Sequence, residues 1–389
     1  MSNERTIQTI EYKDFSLKVH DQAALHGQVI KAQLELTYRC NLHCRHCYTD
    51  PYNSKEFFPR ELTTAEIYRL LDEMRNLGII WLNLTGGDIF MHPDFFEIYE
   101  RAHSLGFLMQ LYTNGTLFTK AVIERLQTHL PFTIDISCHS IDEARFDWFT
   151  QVPGSYRAFM RGIDLLKRSG MPYDLKASAM NWNEDDLTAI QQFAERNARP
   201  LHISPYLAPR LNGDTSSLAF RQEPDAIVAR EFPQPPSSTD PPCAISPTET
   251  ATPTNRLFRC GCGTDTIHIS AWGELGTCTQ QYLDRRSLRT MSLNDAISTV
   301  FQSAHARRYH TDSPCRTCTI HTLCDKKPTE AQWECGSAES PIPYHCDVAL
   351  ARAERANGRP LIHPLAQAHR MGLIDIDKGP RDHLSMSTI

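Results

Sequence analysis

The sequence predicts an α/β protein: an open, partial (β/α)6 barrel over residues 32–232, then a cysteine-rich region over 255–350 folded around metal. Three observations carry this. Short apolar runs alternate with amphipathic segments six times, a Pro-rich stretch over 233–254 interrupts the pattern, and thirteen cysteines fall mostly in short-spaced groups.

The apolar runs read as strands over Gln33–Thr37, Ile79–Leu84, Phe107–Tyr112, Phe132–Ser137, Tyr173–Ala177 and Leu201–Ser204. Helical spacing connects most of them. In Thr64–Leu77, Ile67, Leu70, Leu71 and Met74 make one apolar face before Gly78 ends it. The others are Asp94–Leu105, Lys120–His129, Tyr156–Ser169 and Asp185–Asn197. Strand–helix repetition implies parallel strands joined by right-handed crossovers. Six units are fewer than a closed (β/α) barrel needs, so the barrel is open, TIM-like but partial. Ligands of such sheets bind beyond the carboxyl ends of the strands. Residues 1–31 form an N-terminal extension with a hairpin expected in Ile7–Val19, and 233–254 a linker or surface loop. Residues 255–350 look short of long helices, and the tail over 351–389 starts as a short helix.

Length and charge narrow the function. A chain of 389 residues buries a sizeable core. A formal charge of −6 argues against a nucleic-acid binder, which needs a basic face. No apolar run reaches the roughly 18 residues of a membrane span, and the start has no export signal. A cytoplasmic protein is expected, and there thirteen cysteines point to metal ligation rather than disulfides.

Cys40-x3-Cys44-x2-Cys47 directly follows the first predicted strand. Three thiolates within eight residues can grip three corners of a cubane cluster, which leaves the fourth iron without a protein ligand. The bland alternative is zinc, whose sites usually show paired two-residue spacings. The motif, with His46 as the aromatic before its last cysteine, resembles the radical S-adenosylmethionine (AdoMet) superfamily. The resemblance implies AdoMet chelated to a 4Fe–4S cluster at Cys40, Cys44 and Cys47, reductive cleavage to a 5′-deoxyadenosyl radical, and hydrogen abstraction from substrate. Further matches end later strands. Gly86-Gly87-Asp88 stands where the family receives the AdoMet ammonium group, Asn114 lies in a segment frequent there, and Ser137 stands where a polar side chain reaches the ribose. Lys176 and Ser178 are candidates for the AdoMet carboxylate. Cys138 and His139 fall at the barrel mouth as weak catalytic candidates; a buried thiol and a loop histidine are the bland alternative.

The C-terminal cysteines resemble the SPASM extension, which carries two auxiliary iron–sulfur clusters in enzymes acting on peptides and proteins. By that resemblance one cluster takes Cys262, Cys278 and Cys335, with Cys260 (or Cys243) as fourth ligand. The other takes Cys315, Cys318, Cys324 and Cys346. Cys335 follows Cys324 after ten residues, where the family usually has three. The resemblance implies a maturase of a ribosomally made precursor peptide that leaves a crosslink, thioether, epimerised centre or backbone excision. It also implies a flavodoxin- or ferredoxin-type reductant. With 39 residues before Cys40, a separate leader-recognition protein is expected. An anaerobic sulfatase-maturing enzyme is the first alternative, against which stands Thr279 where that branch has an Asp. A multi-zinc interaction module is the second.

Overall fold

The computed structural model describes residues 11–50, 52–233, 255–259 and 263–357. Six parallel strands, β1 (Lys31–Thr37), β2 (Trp81–Gly86), β3 (Leu108–Thr113), β4 (Thr133–Ser137), β5 (Tyr173–Ser178) and β6 (Leu201–Ser204), lie side by side in chain order. Helices α2 (Thr64–Asn76), α3 (Phe95–Ser104), α4 (Lys120–Thr128), α5 (Glu143–Thr150), α6 (Ser155–Ser169) and α7 (Glu184–Arg196) fill the connections, after α1 (Tyr12–His26). The predicted strands and helices all stand, and α5 is an addition.

Two faces of the sheet follow from strand alternation. Leu34, Leu36, Leu82, Leu84, Met109, Leu111, Ile134, Ile136 and Leu175 are buried in the main core with Ile67, Leu70, Leu71 and Met74 of α2. The intervening positions toward the strand ends are polar, and Gln33, Thr85, Tyr112, Ser137, Ser178 and Ser204 line a cleft. The apolar face drives the sheet onto its helices, which leaves the concave face free for chemistry.

Three expectations need correction. The N-terminal hairpin in Ile7–Val19 is instead helix α1 from Tyr12 onward; residues 1–10 lie outside the described residues. His20 of α1 pairs with Asp265 and stacks on Trp81 with ring centroids 5.0 Å apart, fixing α1 beside the first two strands. The sheet does not end at six strands. β7 (Thr266–Ile269) pairs parallel with β1, and β8 (Glu274–Gly276) and β9 (Arg286–Ser287) add antiparallel beyond it. The cysteine-rich region therefore extends the barrel sheet on its β1 side. Nor is that region short of long helices: α9 (Leu293–Ala306) and α11 (Pro343–Asn357) span 14 and 15 residues, with α8 (Pro224–Glu231) before them and α10 (Pro328–Cys335) between them. The tail read from 351 is the second half of α11. The linker over 233–254 and the tail beyond 357 lie, apart from residue 233, outside the described residues. Among the described residues no helix is long and apolar enough to cross a membrane.

A buried ionic group joins the two halves. Glu330 of α10 accepts from Tyr206 beyond β6 (3.0 Å), from Arg221 (2.5 Å) and from His345 of α11 (2.9 Å). Arg221 also grips both oxygens of Glu334 at 2.8 Å. Glu330, with a side chain 1 % exposed, is satisfied only by this full set of partners.

Candidate active site

Beyond the carboxyl ends of the strands lies a cleft of about 710 Å3. Cys40, Cys44, His46 and Cys47 line it from the loop after β1, Gly86 and Gly87 from the end of β2, Asn114 from β3, and Ser137 and His139 from β4. The expected first-site residues thus converge, apart from Asp88, Lys176 and Cys138.

The thiol loop is tied down by its own polar groups. Asn53 Oδ1 accepts from Cys40 N (2.9 Å) and Asn53 Nδ2 donates to Cys40 O (2.8 Å). Cys40 Sγ accepts from Leu42 N (3.4 Å) and Asn114 Nδ2 (3.6 Å), contacts that favour a thiolate. Behind the loop Tyr48 and Tyr38 donate to the two oxygens of buried Glu35 at 2.7 and 2.9 Å. Burial pushes the Cys40 thiol up to about 12 and raises Cys44 as well. A cationic partner such as a metal ion would favour their ionised form.

The two glycines meet a steric demand of the chain itself. A Cβ on Gly86 would lie 2.2 Å from Thr37 O, and one on Gly87 2.3 Å from Arg39 O. Gly87 N and Asp88 N donate to those same two carbonyls at 2.7 and 2.8 Å, so the end of β2 is laced to the stem of the thiol loop. Asp88 is fully buried: Oδ2 accepts from Thr113 Oγ1 (2.7 Å) and Asn114 N (2.8 Å), and Oδ1 from Phe90 N (3.1 Å). Its carboxylate therefore positions Asn114 and does not line the cleft, contrary to the ammonium contact expected of it.

Lys176 is likewise committed elsewhere. Its ammonium sits 2.6 Å from Asp135 Oδ2 and 2.5 Å from the Tyr112 hydroxyl, and Ser178, two residues on, lines the cleft in its place. Cys138 is fully buried in the core with its thiol 3.9 Å from Ser140 O, and burial pushes it up to about 12. It is the inert thiol of the bland alternative. His139 does reach the cleft; its ring lies 4.7 Å from that of His46, and both pack on Phe149. Burial, with a smaller push from Arg210, lowers His46 to about 4, so both rings are held neutral, His139 by burial and by His46.

Cys278 lines the same cleft, with Tyr206, Thr279, Gln280 and Lys327. Sequence reasoning missed Tyr206 and Lys327. Tyr206 stands just past β6, where the carboxyl-end rule could have found it; Lys327 arrives only through the fold.

A second cavity of about 330 Å3 is lined by Cys315, Cys318, Cys324 and Cys346, with Tyr309 and Lys326. Lys326 Nζ donates to Cys315 Sγ at 3.7 Å. The four cysteines grouped by resemblance thus border one space. Among the described residues no three His, Cys, Asp or Glu side chains converge closely enough to hold a single metal ion. Cys335 ends α10, and Cys260 and Cys262 lie outside the described residues.

Residues 34–194 match the model of the radical SAM superfamily. They form a radical SAM domain. Around this domain the chain is 31% identical over 183 residues to the AdoMet-dependent heme synthase of Methanosarcina barkeri (strain Fusaro / DSM 804), covering 47% of this chain and 52% of that one. It is 30% identical over 174 residues to the mycofactocin maturase MftC of Mycolicibacterium smegmatis, covering 44% and 43%. The chain spans about half the length of these relatives. In fold it resembles Streptococcus suis SuiB bound to precursor peptide SuiA, with a TM-score of 0.60 at 14% identity over 87% of this chain and 82% of that one. The open α/β sheet and the C-terminal region are both included in that likeness.

Proposed function

We propose that the chain carries out a radical modification of a ribosomally made precursor peptide, using AdoMet. One observation carries the reading: three thiols, two close-packed glycines, Asn114, Ser137 and a neutral His46 border a single cleft. When bound there, an iron–sulfur cluster supplies the electron that splits AdoMet into methionine and a hydrogen-abstracting 5′-deoxyadenosyl radical.

The chain's own residues position the reactants. Cys40, Cys44 and Cys47 would hold the cluster to which AdoMet binds. The backbone of Gly86 and Gly87 offers acceptors to the ammonium group, Ser178 a hydroxyl to the carboxylate, Ser137 a hydroxyl to the ribose, and His46 a flat uncharged ring. Cys315, Cys318, Cys324 and Cys346 hold one auxiliary cluster. Cys278 and Cys335, with Cys262 and Cys260 (or Cys243), would hold the other. Cys278 lines the cleft wall, and a cluster held there would serve as electron acceptor or thiolate anchor.

The names of MftC and of SuiB with its bound peptide support a peptide substrate. A sulfatase-type site, with a carboxylate as base, is disfavoured: among the described residues no Asp or Glu lines the cleft, and Thr279 follows Cys278. A flavodoxin- or ferredoxin-type donor and a separate leader-binding protein complete the proposal.

The test is anaerobic reconstitution with iron and sulfide analysis, then reduction with AdoMet. It is followed by incubation with short peptides encoded beside the gene and, in parallel, with a heme precursor. Three cubane clusters give roughly 12 irons per chain. Deoxyadenosine release together with a mass change in a peptide supports the proposal. Turnover of the heme precursor alone overturns the peptide assignment, and no AdoMet cleavage with any low-potential donor overturns the whole.

A further inference from the structure

The thiol loop contains no helix or strand, and its outer side is held by a residue from beyond the sixth strand. The side chain of Arg210 is 12 % exposed. Its guanidinium donates through Nη1 to Cys47 O (3.0 Å) and through Nη2 to Arg45 O (3.1 Å), the two carbonyls flanking His46. It also pairs with Asp50 Oδ2 at 3.1 Å and Asp214 Oδ2 at 3.4 Å. The next residue, Leu211, donates its N–H to Tyr48 O at 2.8 Å. The segment bearing Arg210 is itself anchored to α10. Tyr206 bonds to Glu330, and the Trp333 ring lies 3.5 Å from where a Cβ on Gly213 would stand.

We propose that Arg210 is the positioning residue of the first thiol loop, fixing the directions of Cys44, His46 and Cys47 and offsetting two carboxylates beside a centre that must gain an electron. The inference rests on the function proposed above. Two carbonyls at fixed angles suit a planar, always-charged fork, whereas lysine supplies the charge without the fork. An added electron is opposed by nearby negative charge, so Asp50 and Asp214 left unpaired would make reduction harder.

The experiment uses the full chain, reconstituted without oxygen, as wild type, Arg210→Lys, Arg210→Gln and Asp50→Asn. Iron content, midpoint potential and electron paramagnetic resonance are followed for the signal that changes when AdoMet is added. Arg210→Gln should retain iron, lower the potential and weaken the AdoMet-induced change. Arg210→Lys should restore the potential while leaving the AdoMet response impaired. Asp50→Asn should move the potential upward. Wild-type potential and AdoMet response in Arg210→Gln overturn the inference, as does a lowered potential in Asp50→Asn. If Arg210→Gln cannot hold iron, wild-type behaviour of the other two variants overturns it equally. A wild-type protein with no AdoMet-sensitive signal instead refutes the underlying radical SAM function, a failure separable from that of Arg210.

Discussion

Cys278 and Cys40 line the same cleft, although one follows β8 and the other β1. The pairing of β7 with β1, from Lys31 opposite Thr266 to Leu34 opposite Ile269, causes this. It welds the C-terminal region to the strand that carries the thiol loop, and β8 then runs back antiparallel beside β7.

Two classes of cysteine variant should separate cleanly. Replacing Cys40, Cys44 and Cys47 together by Ala should remove about four irons per chain and abolish deoxyadenosine release. Replacing Cys318 and Cys346 should also remove about four irons but leave AdoMet cleavage in place, since these thiols border a different cavity. Loss of cleavage in the second variant would show that the two cavities are not independent.

Gly87→Ala tests the lacing of β2 to the thiol loop. A methyl group there meets backbone oxygen at 2.3 Å, and neither chain can move without breaking Gly87 N to Thr37 O. Destabilisation of about 2–3 kcal/mol is expected, with loss of iron at the first site. An unchanged denaturation midpoint would count against it.

Glu330→Ala should destabilise the chain by about 3–5 kcal/mol, because Arg221 loses one of its two carboxylates and His345 and Tyr206 lose theirs in a buried setting. Glu330→Gln keeps an acceptor and should do less harm. A Glu330→Gln variant as stable as wild type would remove the charge from the explanation.

Arg307 donates to both oxygens of Asp284, at 2.5 and 2.7 Å. That hydrogen bond holds the carboxyl below its ordinary range, against an opposing contribution from burial. The folded chain therefore binds this proton less readily than the unfolded chain. The stabilisation is complete above the ordinary carboxylate value of about 4 and fades as pH falls through the lowered one. The stability difference between wild type and Asp284→Asn should be constant at neutral pH and shrink in acid. A difference that held steady down to the acid transition would contradict the assignment.

The thiol motif, the six strands and the glycines were legible because each is local: spacing of three and two residues, alternation along a strand, helix faces at intervals of three and four. Asp88 and Lys176 were misplaced for a common reason, and Cys138 took the buried alternative. A motif fixes where a residue stands on its strand end, but the side chain turns toward whichever donor or acceptor the neighbouring strands supply. Thr113 and Asn114 took the Asp88 carboxylate, Asp135 and Tyr112 the Lys176 ammonium, and the core the Cys138 thiol. The N-terminal helix was missed because Tyr12–His26 has only a weak apolar stripe, with Ala23 its one fully buried residue, and it is held from outside by the contacts of His20.

By itself the sequence determined the order of the strands and placed three closely spaced cysteines directly after the first of them. Tertiary structure alone decided that β7 would dock on β1, that Cys278 would line one cleft with Cys40, and that Arg210 would bond to the thiol loop. Those contacts join residues far apart in the chain, and their energies depend on burial and geometry that no local pattern encodes.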